Sequence, residues 1–397
     1  MKWSSTGDRV ASVYGALFFA LGIYMPFYPL LLADRGMDVT QIGLLIGVPM
    51  ALRAVVASPL GILADFVGDR RRVLMLYSSV AAITFSAFAI ADGFWPLMAI
   101  SIVVSLFSNA SNPIVDALAT SIVRQGKADY GRMRMWGSVS FVAANVIGGA
   151  VISQFSAHSL FWLLLMALWG AALVLAIAPP EEAGRHSASD ERHSSEPHLG
   201  LLKHLLRDPA LVGGMVAAAL IQASHAMIYG FSSLYWGQTG YSGTEVGVFW
   251  AAGVVAEILM FFVSGRLFNR WRPGQMLVLS GSAAIIRWLL FPLVTTASGY
   301  LLLQSMHALT FACCHLAMMR LVVERVENRF AVTVQGFYTT VGALAMSAAT
   351  LASGPLFRNF GGTGFQLMAG VDVIAIVIAV IWVGVDRTSA PDDMSRA

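Results

Sequence analysis

The residues with chemistry to offer are ionisable groups set inside long apolar stretches: Arg53, Asp116, His225, Glu257, Arg287, His307, His315 and Asp372. A charge at the centre of a bilayer costs roughly 2.5–3.5 kcal/mol on insertion scales, so each of these needs a partner or a polar cavity. Arg53 lies near the middle of the second apolar stretch. Its guanidinium stays charged and offers a two-pronged fork to a carboxylate, which makes it a candidate for holding an anion. Asn109, Asn112 and Asp116 fall at i, i+3 and i+7 and define one polar face of a helix. Gln222, His225, Tyr229 and Trp236 mark a face in a later stretch. Gln304, His307 and Cys314 mark another, with His315 beside it. One such residue alone reads as a structural hydrogen-bond partner; three polar faces on separate helices predict a shared, water-accessible cavity. Glu257 and Arg287 sit at similar depth in consecutive stretches, which predicts an ion pair. That pair is either a static bridge or one that protonation of Glu257 or His307 opens during a working cycle. Asp372 reads as structural.

The elements that carry these groups are transmembrane helices. Hydrophobic residues make up 57% of the 397 and charged residues 12%, where a soluble domain carries about 25% charge. A helix needs roughly 20 apolar residues to cross a bilayer core. Such stretches are expected near 10–33, 41–64, 73–92, 95–122, 133–155, 159–178, 209–236, 245–266, 274–296, 299–321, 330–356 and 364–385. The first is too long for a cleaved leader and lacks a small-residue cleavage site. Turn signals such as Asp34-Arg35-Gly36, Gly240-Tyr241-Ser242-Gly243 and Gly361-Gly362 separate the stretches. The expected fold is an all-α integral membrane protein of twelve transmembrane helices. A six-helix bundle over 1–178 and a second over 209–397 are joined by a polar loop at 179–208.

Lys and Arg decide the orientation. With the N-terminus inside, Arg9, Arg70 to Arg72, Arg124, Lys127, Arg132, Arg134, Arg266, Arg270, Arg320 and Arg325 all fall on the cytoplasmic side, and only Arg35 and Arg358 fall outside. Both termini are then cytoplasmic. Spread along loops in this way, the net charge of +3 does not suggest nucleic acid. The loop holds His186, His193, His198 and His204 without metal-ligand spacing and reads as a solvated linker. The adjacent Cys313 and Cys314 read as small buried residues rather than a disulfide.

After the second stretch the chain reads Gly61-Ile-Leu-Ala-Asp65-Phe-Val-Gly68-Asp-Arg70-Arg71-Arg72. This resembles the G-x-x-x-D-x-x-G-x-[RK]-[RK] signature of the major facilitator superfamily, at the place where the family carries it. A basic loop obeying the positive-inside rule explains the arginines but not the Gly-Asp-Gly spacing. The resemblance implies that Gly61, Asp65, Gly68, Arg70 and Arg71 form a conformational gate, with ion pairs that hold the halves together in one state and release them in the other. Gly265-Arg266-Leu-Phe-Asn269-Arg270 is a degraded copy in the second half, as an internal repeat would leave.

Further stretches are more specific. The runs Ile221–Trp236 and Gln304–Arg320, together with Asp116-Ala-Leu-Ala, Tyr130-Gly-Arg-Met-Arg-Met-Trp-Gly-Ser138 and Val254-Val-Ala-Glu257, look like phenylpropionate permease-like transporters. That family is similar, more distantly, to proton symporters of the lactose permease type. The resemblance implies that Asp116 and Arg134 grip the substrate, and that Glu257, Arg287 and His307 belong to the coupling network. Two positions depart from that pattern: Thr310 stands where the permease carries a proton-bearing carboxylate, and Gln304 where it carries a lysine. A proton site has then moved, with Glu257, His307 and Asp116 the remaining candidates.

The expected function is secondary active transport by alternating access, with proton-coupled uptake of a small organic anion such as an aromatic carboxylate. Arg53 or Arg134 would neutralise the substrate. Asn112, Asp116, His225, Tyr229, Trp236 and Tyr338 would complete its site, and Glu257, Arg287, His307 and His315 would couple the proton. A sugar or oligosaccharide symporter and a drug or metabolite exporter are the alternatives. Without a nucleophile motif, a metal-spaced His/Glu cluster or a phosphate-cradling loop, the chain is not expected to be an enzyme. It is expected to use no cofactor or metal beyond the proton, to work as a monomer, and to lie in a bacterial-type inner membrane with a small molecule and lipid as its partners.

Overall fold

The computed structural model describes residues 6–67, 69–177, 207–327 and 330–386, without the side chains of 57–59, 61–66, 332 and 383–386. The loop histidines, Gly68 and the Asp65 side chain therefore lie outside the described residues. A chain in hydrocarbon must satisfy its own backbone groups, which helices do internally, and the described residues contain helices but no strands. In order these are α1 (Thr6–Asp34), α2 (Val39–Val67), α3 (Arg70–Ser86), α4 (Phe94–Arg124), α5 (Tyr130–Gln154) and α6 (Ser159–Ile177). After the loop come α7 (Pro209–Ala223), α8 (Ala226–Gln238), α9 (Gly243–Leu267), α10 (Pro273–Leu290), α11 (Ala297–Ser305), α12 (Cys314–Arg325), α13 (Ala331–Phe360) and α14 (Gly364–Asp386).

Ten stretches are long and apolar enough to cross a bilayer, and the last of them, Thr333–Trp382, contains two successive helices. With α10 added, the described residues form twelve rods. Two rods are interrupted. α7 and α8 are one rod broken at Ser224–His225, and α11 and α12 are one rod joined through a wide π-type turn at Ala308–Cys313. Turns of this kind recur at functional sites.

Polar residues fix where several rods begin. Asp129 caps α5 by accepting from the Arg132 N–H at 2.8 Å, and Asp208 caps α7 through Ala210 and Leu211. Ser242 and Glu245 form a capping box at the start of α9. Arg71 donates from Nε to the Leu175 carbonyl at 2.9 Å and from Nη2 to Ala176, so it closes the C-terminus of α6.

Successive rods run antiparallel, so the bundle has two distinct ends. One is where α6 ends and α7 begins, with the turns at 125–129 and 268–272; the other carries the short turns at 35–38, 155–158 and 239–242. At this second end α2 packs on α13 and α5 on α9 through backbone-to-backbone contact. A Cβ on Gly247 would sit 2.2 Å from the Asn145 carbonyl oxygen, and one on Gly149 would sit 2.3 Å from that of Gly243. A Cβ on Gly43 would fall 3.1 Å from Gly354 Cα, and the Ser347 hydroxyl donates to the Gly47 carbonyl at 2.8 Å. The end opposite the loop is therefore shut. Asn145 lies fully buried in this seam with neither amide atom bonded.

Candidate functional site

Midway along the bundle, α1, α5, α8, α9, α10 and the α11–α12 rod enclose a cavity of about 260 Å³. Aromatic and apolar side chains form its walls: Phe18, Phe141, Tyr229, Trp250 and Phe311. Tyr229 and Trp250 stack with ring centroids 5.9 Å apart, and the Trp250 indole donates to the Ser233 hydroxyl at 3.2 Å. The polar groups on the lining are Arg134, Ser138, Glu257, Arg287, Gln304 and His307.

Arg134 comes from the basic start of α5. Its guanidinium lies over the Phe18 ring at 4.1 Å and near that of Tyr14 at 5.7 Å, a cation–π arrangement. It has no ion-pair partner among the described residues, and its Nη1 makes no hydrogen bond. The nearest counter-charge it feels in the cavity is Glu257.

The second half supplies a connected network. The expected Glu257–Arg287 ion pair does not form; His307 stands between them. His307 Nε2 lies 3.5 Å from Glu257 Oε2, and His307 Nδ1 lies 3.4 Å from Arg287 Nη1. A guanidinium only donates, so Nδ1 accepts and Nε2 carries the ring proton toward Glu257. Arg287 donates from Nη2 to Gln304 Oε1 at 2.6 Å and from Nη1 to Thr310 Oγ1 at 3.1 Å. These partners are the two residues that depart from the lactose permease pattern. They are neutral, so they hold Arg287 without cancelling its charge, and its Nε is left without a partner.

His225 lies behind this row. Its Nδ1 is 2.9 Å from the Ile221 carbonyl, which can only accept, and its Nε2 is 2.9 Å from Thr310 Oγ1. In the neutral ring Nδ1 therefore carries the proton and Nε2 accepts from the Thr310 hydroxyl. The broken rod at Ser224–His225 and the wide turn at Ala308–Cys313 bring these two side chains together.

The structure thus gathers Arg134, Tyr229, Glu257, Arg287 and His307 around one cavity, and it separates the other expected residues from it. Asp116 accepts from the hydroxyls of Tyr14 and, at 3.2 Å, Tyr130, with no ion pair to Arg134. Asn112 lines a smaller void inside the first half. Arg53 is half-buried, with Tyr24 as its electrostatic neighbour and no hydrogen-bond partner among the described residues. Fully buried His225 is screened from the cavity by the His307 row. Trp236 is fully buried among Phe249, Phe291 and Tyr300 near the shut end. Tyr338 packs in the apolar core of the second half, and His315 faces Phe261, touching Glu257 only through its field. Asp372 is buried, accepting from the Trp288 indole at 2.9 Å. Of the gating residues, Arg71 is engaged within its own half as described above. Arg70 opens α3, and Gly61 lies within α2.

Trp250 and Phe18 were not expected at the site. Trp250 precedes Glu257 by seven residues on α9, two helical turns on the same face, and that spacing was a usable signal. Phe18 carries no such mark.

The fold and this central cavity define a membrane transporter of the major facilitator type. The chain belongs to the MFS_1 like family, whose model matches residues 9–367. It is 32% identical over 386 residues to a probable 3-phenylpropionic acid transporter of Escherichia coli K12, covering 95% of this chain and 96% of that one. It is 22% identical to the lactose permease of Citrobacter freundii, covering 91% of this chain and 90% of that one. Among solved structures, the nucleoside transporter NupG superposes with a TM-score of 0.82 at 15% identity, covering 96% and 99% of the two chains. A bacterial homologue of the lysosomal transporter Spinster, in an inward-facing and unoccupied conformation, superposes with a TM-score of 0.74 at 15% identity, covering 96% of each. These relatives are transporters rather than enzymes.

Proposed function

We propose that the chain carries a small aromatic carboxylate across a bacterial inner membrane together with a proton, in the direction of uptake and as a monomer. The observation that carries this reading is the charge of the cavity. With Glu257 ionised and His307 neutral, two guanidinium groups face one carboxylate, leaving one net positive charge for a monoanion to balance. Arg134, which has no counter-ion among the described residues, is the group to receive the carboxylate; Arg287, also on the lining, adds its charge. The aromatic walls fit a ring, and a volume of 260 Å³ falls below the roughly 300–1,000 Å³ of pockets for drug-sized ligands, in keeping with a single ring. The 32% identity to a probable 3-phenylpropionic acid transporter supports the same substrate class.

Coupling follows from repulsion. A substrate carboxylate and the Glu257 carboxylate in one enclosed cavity oppose each other unless one is protonated, so the anion and the proton favour each other's binding. His307 presents its N–H to Glu257 and is placed to pass that proton. In this reading, residues 1–178 and 209–397 rock about the cavity while 179–208 tethers them on the cytoplasmic side, where both termini lie. The seam opposite the loop is then the closed external end, so the conformation described faces the cytoplasm. A sugar symporter would draw on an acidic group in the cavity's first half, and Asp116 is held instead by Tyr14 and Tyr130.

The test is uptake of labelled 3-phenylpropionate into proteoliposomes with and without an inward proton gradient, competed by carboxylates and sugars. Gradient-stimulated uptake blocked by aromatic acids is expected. Uptake blocked by sugars but not by acids would overturn the reading.

A further inference from the structure

A second cavity, of about 40 Å³, lies inside the first half between α1, α3, α4 and α6. Its polar lining is Tyr24, Ser78, Ser105, Ser108, Asn109 and Asn112. Asn109 Nδ2 donates to the Ser105 carbonyl at 2.9 Å. The Ser78 and Ser108 hydroxyls, however, are buried without any partner, and Ser78 is only 4% exposed. Neither the Tyr24 hydroxyl nor the Asn112 amide has a hydrogen-bond partner among the described residues. Buried polar groups are ordinarily bonded, so two buried, unpartnered hydroxyls facing one void, with the half-buried Tyr24 and Asn112 beside them, mark the place of something that bonds them. No carboxylate lines the void, and Arg53 lies beside Tyr24, which disfavours a cation.

The two cavities meet at one side chain. Leu21 is the single residue that lines both. On α1 it sits one helical turn, about 4.5 Å, beyond Phe18, whose ring carries the Arg134 guanidinium. Tyr24 follows one turn further. A ring whose carboxylate rests on Arg134 therefore lies along Phe18 and Leu21 and points its far edge at the hydroxyl-lined void.

We infer that this void is a subsite for an uncharged hydroxyl at the end of the substrate opposite its carboxylate, reached past Leu21, so that the preferred cargo is a ring-hydroxylated aromatic acid. This rests on the anion reading above for its orientation. The void has room for a hydroxyl and the carbon that bears it, since a water needs about 10–15 Å³ on the same measure.

The experiment compares two ligand pairs on purified full-length protein. The first is 3-phenylpropionate and 3-(4-hydroxyphenyl)propionate; the second is 2-phenylethanol and 2-(4-hydroxyphenyl)ethanol, which carry no charge. Binding is measured for the unaltered protein and for the double variant Ser78→Ala, Ser108→Ala. Removing hydroxyls that have no partner leaves no donor stranded, so the variant should fold. The hydroxylated acid is expected to bind about tenfold tighter than its parent, the worth of one well-made hydrogen bond. In the variant that ratio should fall toward one while affinity for the parent acid holds. Leu21→Phe, which fills the passage, should also bring the ratio toward one, whatever it does to the parent acid's own affinity. If neither acid binds but the alcohols show the hydroxyl preference and lose it in the variant, the anion reading falls and the subsite stands. No hydroxyl preference in either pair, or a preference that survives Ser78→Ala with Ser108→Ala, would assign the void to water and overturn the proposal.

Discussion

The two halves of the bundle treat their polar groups in opposite ways. In the first half, the polar side chains nearest the central cavity stand alone: Arg134 over Phe18, Arg53 beside Tyr24, and the hydroxyls of Ser78 and Ser108. Its helices there are long and continuous, 29 residues in α1 and 31 in α4. In the second half Glu257, His307, Arg287, Gln304, Thr310 and His225 are linked to one another in sequence, with the buried Arg287 Nε left unbonded. Two of its rods depart from regular geometry to make that possible. Groups without protein partners are free to bond a visitor; groups already bonded to each other can instead pass on a change in charge. In the proposed function the first half receives and the second responds.

Mutations at matched positions test that division. Arg134→Ala, on the receiving side, should lower affinity for the anion by at least about 100-fold, as loss of a charge-assisted hydrogen bond of ~3 kcal/mol would. Thermal stability should fall only slightly, by the ~0.5–1 kcal/mol of its contacts with Phe18 and Tyr14, because no protein hydrogen bond or ion pair is lost. A binding titration and a melting curve on the same sample check both, and a more strongly destabilised Arg134→Ala would blur the contrast. Glu257→Gln, in the responding half, should reduce gradient-driven accumulation to the equilibrium level. Substrate exchange across the membrane should stay within about threefold, the difference between lost coupling and lost binding. Equal loss of accumulation and exchange would place Glu257 among the binding groups instead. The smallest effect is expected for Thr310→Val, which keeps volume but leaves Arg287 and His225 each short of a partner. A loss of about 1–3 kcal/mol in stability is expected, with affinity little changed. An unchanged melting curve would show that the network is looser than its distances suggest.

Much of the fold was legible in the residues, because a bilayer imposes one requirement on every span and the Gly61–Arg72 run marks the superfamily. Membership of the site was harder to see. A helical face can be read from spacing, but which neighbour covers that face cannot. His225, Tyr229 and Trp236 share one face of the seventh rod, yet only Tyr229 reaches the cavity, since Thr310 closes over His225 and a cluster of rings over Trp236. Asp116 looked free because the hydroxyls that hold it come from residues 14 and 130. The Glu257–Arg287 pairing failed because matched depth says nothing of an imidazole lying between. One clue was present: both departures from the permease pattern, Gln304 and Thr310, are hydrogen-bonding residues rather than apolar ones, as befits partners for a buried arginine.

The seam that shuts one end has a consequence for how much variation the chain tolerates. Where backbone lies against backbone, side-chain volume is held at zero, and Gly149, Gly243 and Gly247 leave no space for a methyl group. Elsewhere glycines such as Gly170, Gly336 and Gly342 face open space and would accept one. The chain's glycines therefore fall into two populations that composition cannot tell apart: one replaceable at little cost, the other a record of how closely two helices must meet.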